Sequence, residues 1–204
     1  MNTTSGPQLL LLRHGQINAN KTGHWHGSTD SSLNFRGRRQ ARRTGHHLAK
    51  NGTQLDAAYA SPLVRCQQTA TLALRHTDLP ILTVAGLREM SIGEWEGQSF
   101  VSLRDEHDLF DQLKDPDYAP PGGESLHTVA SRMCQVLVEI SKQHQAHERI
   151  LIVSHGVAMS VALASLIENS SSLWRNYHLD NCSLTEVLVS PKPVVLSFNQ
   201  TGHL

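Results

Sequence analysis

The sequence predicts an α/β fold in which a mostly parallel sheet is covered by helices. Two observations carry this: short leucine-rich or β-branched runs alternate with longer stretches of helical periodicity, and the chain is apolar enough to fill a core. Of 204 residues, 39% are hydrophobic, and a chain of that length and composition closes a substantial interior. No repeat, linker or low-complexity tract interrupts the alternation, so residues 1–204 are expected to form a single domain.

The elements follow in order. The run Gln-Leu-Leu-Leu-Leu at 8–12 is the first strand, stopped by Arg13. Asn34 reads as a helix N-cap, because its side chain can accept from the unpaired N–H groups of a first turn. Behind it Gly37, Ala41, Thr44, Gly45 and Leu48 recur at helical spacing, a small face able to lie close to a sheet. A second strand is expected at 57–60 and a helix at 62–75, with Pro62 at the first-turn position where a missing N–H costs nothing. A third strand at 81–85 precedes a region from Glu89 to Pro120 without strand character. That region contains an amphipathic helical stretch at 100–110, so a helical cap over one end of the sheet is expected at about 98–120. Pro120-Pro121-Gly122-Gly123 opens a helix at 124–147 with Val129, Met133, Val136, Leu137 and Ile140 on one side. Strands at 150–154, 184–189 and 194–198 complete the set.

Charge excludes several partners. Eighteen Lys and Arg balance 18 Asp and Glu, which argues against binding nucleic acid or an anionic membrane by bulk attraction. The N-terminus has no basic region ahead of an apolar segment. The longest other apolar run, 157–167, contains Ser160 and Ser165 and falls short of the roughly 20 residues a bilayer requires. Cys66, Cys134 and Cys182 are odd in number and widely spaced, which suggests neither a disulfide framework nor a zinc knuckle. A cytoplasmic protein is expected, as a monomer or homodimer.

Ligands of open α/β sheets bind beyond the carboxyl ends of the strands, and here those ends carry chemistry. The first strand runs into Arg13-His14-Gly15, the second into Ser61-Pro62 with Arg65 one turn later, and the fourth into Ser154-His155-Gly156. Two arginines and two histidines thus converge on one edge, with glycines that permit close backbone approach. Such a set is an anion pocket suited to phosphate oxygens. An imidazole among cations is disfavoured in its protonated form, so His14 is a candidate nucleophile toward phosphorus. Gly15 is expected to leave room for the incoming group. His155 is a candidate donor to equatorial oxygens. Glu89, just after the third strand, is a candidate proton source for a leaving alkoxide, with Glu94 and Glu96 as rival carboxylates.

These residues lie in motifs that resemble the histidine phosphatase (phosphoglycerate mutase-like) superfamily, branch 1. The motifs are Leu11-Leu12-Arg13-His14-Gly15, the segment from Ser61 to Ala70, that from Leu87 to Gly97, Pro121-Gly122-Gly123-Glu124-Ser125 and Val153-Ser154-His155-Gly156. Five motifs in this order are far more specific than one Arg-His-Gly tripeptide. The resemblance implies a three-layer α/β/α fold with a short helical cap, close to broad-specificity or α-ribazole phosphatases. It implies His14 as the residue that becomes phosphohistidine, Arg13, Arg65 and His155 as holders of the phosphoryl group, and Glu89 as proton donor. Asn20 matches an asparagine that contacts phosphate, and His26 and Gly27 fall at the substrate mouth. The implied substrate is a small phosphorylated molecule, with no metal or organic cofactor. Gln16 and Ile17 depart from the acidic and hydroxyl residues usual after Arg-His-Gly, which bears on substrate choice. Cys66 stands where alanine is common, and reads as a small core residue, with a partly ionised thiol beside Arg65 as the rival.

His24-Trp25-His26 lacks partners at metal-ligand spacing and reads as lining the substrate entrance. Other polar clusters read as solvated. His46, His47, His144 and His147 fall on exposed helix faces, as does the basic run Arg36, Arg38, Arg39, Arg42 and Arg43. The expected activity is hydrolysis of phosphomonoesters. One alternative is a cofactor-dependent phosphoglycerate mutase, against which the short segment of 33 positions between Glu89 and Gly122 (122 − 89) argues. The other is a non-catalytic phosphate-binding scaffold, which need not keep both nucleophile and proton donor.

Overall fold

A computed structural model describes residues 6–189 and 192–204. Its sheet contains β1 (Gln8–Arg13), β2 (Ala57–Ala60), β3 (Ile81–Thr83), β4 (Arg149–Ser154), β5 (Leu184–Leu188) and β6 (Val194–Gln200), in the order β3-β2-β4-β1-β5-β6. The first four positions in this order are parallel, and β5 and β6 extend the sheet antiparallel. Strand residues alternate between two cores. Leu9, Leu11, Ile150 and Ile152 face the layer formed by α6 (Leu126–Gln143) and α7 (Gly156–Glu168). Leu10, Leu12, Leu151 and Val153 face α2 (Phe35–Lys50) and α3 (Val64–Ala73). Burial on both faces explains why β1 and β4 read as continuous apolar runs rather than alternating ones.

Several expectations hold in detail. Asn34 caps α2, its side chain accepting from Gly37 N at 2.9 Å. All five residues of the small face are buried. The glycine at 45 is required by packing, since a Cβ there would lie 2.7 Å from the Ala73 carbonyl of α3.

Boundaries differ where side chains take over the backbone groups. The helix expected from Pro62 begins at Val64, whose N–H is taken by Asp30 Oδ1 at 2.8 Å. The strand expected to reach 85 ends at Thr83, because its partner β2 ends opposite at Ala60. The helix expected at 124–147 starts after Ser125, which caps it through Thr128 N at 3.1 Å. It ends at Gln143, where His144 turns its ring to Tyr59 and Glu148.

The cap is two helices rather than one, α4 (Phe100–Glu106) and α5 (Leu109–Gln112), broken where Asp108 adopts a left-handed conformation with φ of 47°. Short α1 (Asn18–Thr22) and a 3₁₀ segment at Ser171–Tyr177 were not anticipated. α7 likewise lies outside the expected elements. It is buried from Ala158 to Ala164 and therefore shows no amphipathic period. Among the described residues, no helix is long and apolar enough to cross a membrane.

Candidate active site

Strand register assembles the site. β1 and β4 run side by side with Arg13 opposite Ser154, so His14 and His155 leave the sheet together, their ring centroids 5.2 Å apart. On the other side of β4, Ala60 lies opposite Val153, which brings Ser61 within 2.8 Å of His155 Nε2. Arg65, in the first turn of α3, donates from Nε to His155 Nδ1 at 3.1 Å. That nitrogen accepts, so the His155 proton sits on Nε2 and is shared with Ser61 Oγ. Both ring nitrogens of His155 are thus engaged by the protein.

The tautomer of His14 is set the same way. Its Nδ1 lies 2.8 Å from the Gly15 carbonyl, which can only accept, so Nδ1 carries the proton and Nε2 keeps its lone pair. Burial first, then Arg13 and Arg65, hold the imidazole well below the ordinary histidine range. Gly15 does not make room for a ligand as expected. Its missing side chain permits contact with α2 instead, since a Cβ would lie 2.6 Å from the Gly37 carbonyl. The loop is further fixed by Gly15 N donating to Thr69 Oγ1 at 3.0 Å.

The arginines play different structural parts. Arg65 is fully buried, donating to the Thr29 carbonyl at 2.9 Å and the Gly27 carbonyl at 2.7 Å. Those carbonyls belong to a loop gripped by Glu96, which accepts from the N–H groups of Gly27, Ser28 and Thr29 at 3.0, 2.7 and 3.2 Å. Burial opposes the Glu96 charge, but hydrogen bonds from Thr29, Ser28 and Ile92 prevail and hold its carboxyl below the usual range. Arg13 donates to the Leu179 carbonyl, while its buried Nε has no partner among the described residues. Burial depresses its guanidinium below the usual arginine value, against attraction from Glu89 and Asp180. Gly156 admits this guanidinium, since a Cβ there would come within 3.1 Å of it.

Glu89 is 6% exposed and is seated on the N-terminus of α7. Its Oε1 accepts from Ala158 N at 2.8 Å and Met90 N at 2.9 Å, and its Oε2 from Val157 N at 3.1 Å. A second clamp holds the backbone. Arg132 of α6 donates to the carbonyls of Gly86, Arg88 and Glu89 at 3.0, 2.8 and 3.1 Å. It is itself pinned bidentately by Glu124 at 2.8 and 2.9 Å. Burial opposes ionisation of Glu124, but Arg132 and the N–H of Ser91 hold its carboxyl below the usual range. The rival carboxylates are elsewhere: Glu94 is exposed and Glu96 holds the 27–29 loop.

Arg13, His14, Asn20, His26 and Glu89 open onto one cavity of about 490 Å³. Arg65 and His155 stand behind His14, and Gly27 lies behind the wall with its carbonyl on Arg65. Asn20 Oδ1 accepts from Ile17 N at 3.1 Å and Asn181 Nδ2 at 3.3 Å. Ile17 contributes to the cavity wall, whereas Gln16 points to Asn34, which donates to its Oε1 at 3.0 Å. Cys66 is fully buried, and burial raises its thiol far above the ordinary range, so the ionised reading falls. His144 is not solvated, since it bridges Tyr59 and Glu148 at 3.0 and 2.7 Å. Among the described residues, no group of three or more His, Cys, Asp or Glu could hold a metal ion.

The sequence reading missed the Arg132–Glu124 clamp and the wall formed by Trp174, Arg175, His178 and Leu179. Arg132 lies one helix position before Met133 of the apolar face, and only the carboxylate at 124, eight residues earlier, signals a pair. The 171–179 wall has no periodic pattern.

The chain matches the model of the histidine phosphatase superfamily, branch 1, over residues 9–201. It is 31% identical over 201 residues to a bifunctional protein of Mycobacterium tuberculosis, a match covering 97% of this chain and 55% of that one. The chain therefore spans about half the length of that relative. It is 34% identical over 170 residues to a 2,3-bisphosphoglycerate-dependent phosphoglycerate mutase of Azorhizobium caulinodans, covering 80% of this chain and 82% of the mutase. Among solved structures, phosphoserine phosphatase of Entamoeba histolytica in complex with 3-phosphoglyceric acid superposes with a TM-score of 0.85. It is 29% identical, over 97% of this chain and 99% of that one. With the family model matched along nearly its whole length, the chain belongs to the histidine phosphatase superfamily, branch 1.

Proposed function

We propose that the protein hydrolyses small phosphomonoesters through a phosphohistidine on His14. The supporting observation is the His14 tautomer: Nδ1 is tied to the Gly15 carbonyl, and Nε2 is left as a neutral nucleophile among cations. In the first step Nε2 bonds to phosphorus, the ester P–O bond breaks, and Glu89 in its acid form gives its proton to the departing alkoxide. In the second step Glu89 takes a proton from water, the oxygen of which bonds to phosphorus as the P–N bond breaks. This returns neutral His14, the Glu89 acid and inorganic phosphate.

Arg13 and Arg65 offset the charge of the transferring group. The Arg13 side chain lines the cavity in which those oxygens would lie. His155 orients Arg65 and shares the field at His14, through its bonds to Arg65 and Ser61. Asn20 and His26 would contact substrate from the cavity wall, while Gly27 would act through Arg65.

A mutase is the second reading, favoured by the similarity to the Azorhizobium protein. The short cap, two helices of seven and four residues, supports hydrolysis instead, because it offers little cover against water. Two measurements test the proposal. Brief incubation with a phosphorylated substrate and acid-free quenching should yield a base-stable, acid-labile phosphoprotein that is lost in His14→Ala; absence of label in the wild type refutes covalent catalysis. With 3-phosphoglycerate, release of inorganic phosphate is expected, and production of 2-phosphoglycerate without phosphate release selects the mutase.

A further inference from the structure

We infer, resting on the phosphatase reading above, that the alcohol released from the substrate joins a flat apolar body to a negatively charged group. The body lies along an aromatic wall and the charge meets Arg175.

The wall is continuous. Trp25 and Phe100 have ring centroids 5.9 Å apart, Phe100 and Phe110 5.6 Å apart, and the Arg175 guanidinium carbon sits 3.9 Å above the Phe110 ring. Trp25, Phe100, Phe110, Trp174 and Arg175 all line the cavity that contains His14 and Glu89. That cavity, about 490 Å³, is within the ~300–1,000 Å³ range of sites that enclose ligands well beyond a three-carbon alcohol. A small polar leaving group would leave the aromatic surface wet, whereas a ring or branched apolar group would cover it.

Charge supplies the second half. Phosphate is matched at the His14 end by Arg13 and Arg65, which leaves Arg175 without a function there. Among the described residues the arginines in ion pairs are Arg104, Arg132 and Arg149, and Arg175 has no carboxylate within bridging distance. Over the Phe110 ring the Arg175 guanidinium makes no hydrogen bond to the described residues, so its N–H groups are open to an anion. Asp180, which follows Leu179 of the cavity wall, is engaged by His178 at 3.7 Å and accepts from Asn199 Nδ2 at 3.0 Å. A ligand with a second negative charge therefore complements this end of the cavity.

The test compares three primary alkyl phosphates whose leaving oxygens are alike: ethyl phosphate, 2-phenylethyl phosphate, and the latter with a carboxylate at ring position 4. With the wild-type chain, kcat/KM should rise at each step, the carboxylate giving about tenfold, chiefly through KM. In Arg175→Gln the gain from the carboxylate should vanish, and in Arg175→Lys, which keeps the charge, most of it should persist. Equal rates on the two phenylethyl esters in the wild type, or a carboxylate gain that survives Arg175→Gln, overturns the inference. So does equal turnover of ethyl and phenylethyl phosphate. If none of the three esters is turned over and no phosphohistidine forms, the phosphatase reading itself has failed.

Discussion

Arg132 touches no part of the cavity, yet its removal should damage catalysis through Glu89. Its side chain is 21% exposed and pairs with Glu124, which is 24% exposed. Arg132→Ala deletes three hydrogen bonds to the carbonyls of Gly86, Arg88 and Glu89 and strands the half-buried Glu124. At about 1 kcal/mol for each carbonyl bond the loss is about 3 kcal/mol, before any cost of the unpaired carboxylate. For a chain of this size each kcal/mol lowers Tm by about 2–4 °C, so calorimetry should show a drop of about 6–12 °C. The backbone so released carries Glu89, the proposed proton donor, and a displacement of about 1 Å costs about 100-fold in rate.

The kinetic signature separates positioning from mere loss of fold. In the proposed first step Glu89 matters most when the leaving alkoxide is poor, so Arg132→Ala should lower kcat/KM for an alkyl phosphate far more than for 4-nitrophenyl phosphate, whose leaving group needs little protonation. Arg132→Lys, which retains one cation without the fork, should fall between. An equal reduction of kcat/KM on both substrates at a temperature where the variant is folded would refute the assignment of Arg132 to Glu89.

Two further predictions concern the His14 segment. His14 and His155 are held well below 6.5 in the folded chain, so below that pH the unfolded chain binds protons that the folded one does not. Stability from these two groups is complete above about pH 6.5 and should fall by about 1.4 kcal/mol per pH unit for each as pH drops toward 5. Denaturant titrations over this window should show a slope reduced by about one proton in His14→Asn; an unchanged slope would mean that His14 is not buried neutral. Gly15→Ala drives a Cβ to 2.6 Å from the Gly37 carbonyl, backbone against backbone. It should destabilise by about 1–3 kcal/mol, read from the urea midpoint, and a variant as stable as wild type would show that the loop and α2 are not in contact.

What could be read before folding depended on how local the signal was. The strand-end residues His14, Arg65, Glu89 and His155 were legible because each follows a short apolar run, and parallel register does the rest: Arg13 opposite Ser154 makes neighbours of His14 and His155 whatever the loops do. Helix N-caps were legible at Asn34, where the capping side chain is local, but not at Val64, whose first-turn N–H is taken by Asp30 from 34 residues away. The same distinction hides α7. A helix buried on every side loses the periodicity by which helices are recognised, so 157–167 looked only like an apolar run.

The cavity's far wall was the least legible part, and for a reason that bears on specificity. The residues proposed to act on phosphorus follow strand ends, where the sheet dictates their position. Trp174 and Arg175 sit on a 3₁₀ segment that packs against α7 and has no pattern of its own. Their placement follows from where α7 ends, at Asn169 in a left-handed conformation with φ of 54°, which turns the chain back over the sheet edge beside the cap. Beyond Trp25, the wall is built largely by two excursions, 100–112 and 171–177, which meet at Phe110 and Arg175. Substitutions in either excursion can alter which alcohol is accepted while the sheet keeps His14, Arg13 and Glu89 in register. The division predicts that chemistry and specificity in this fold can change independently.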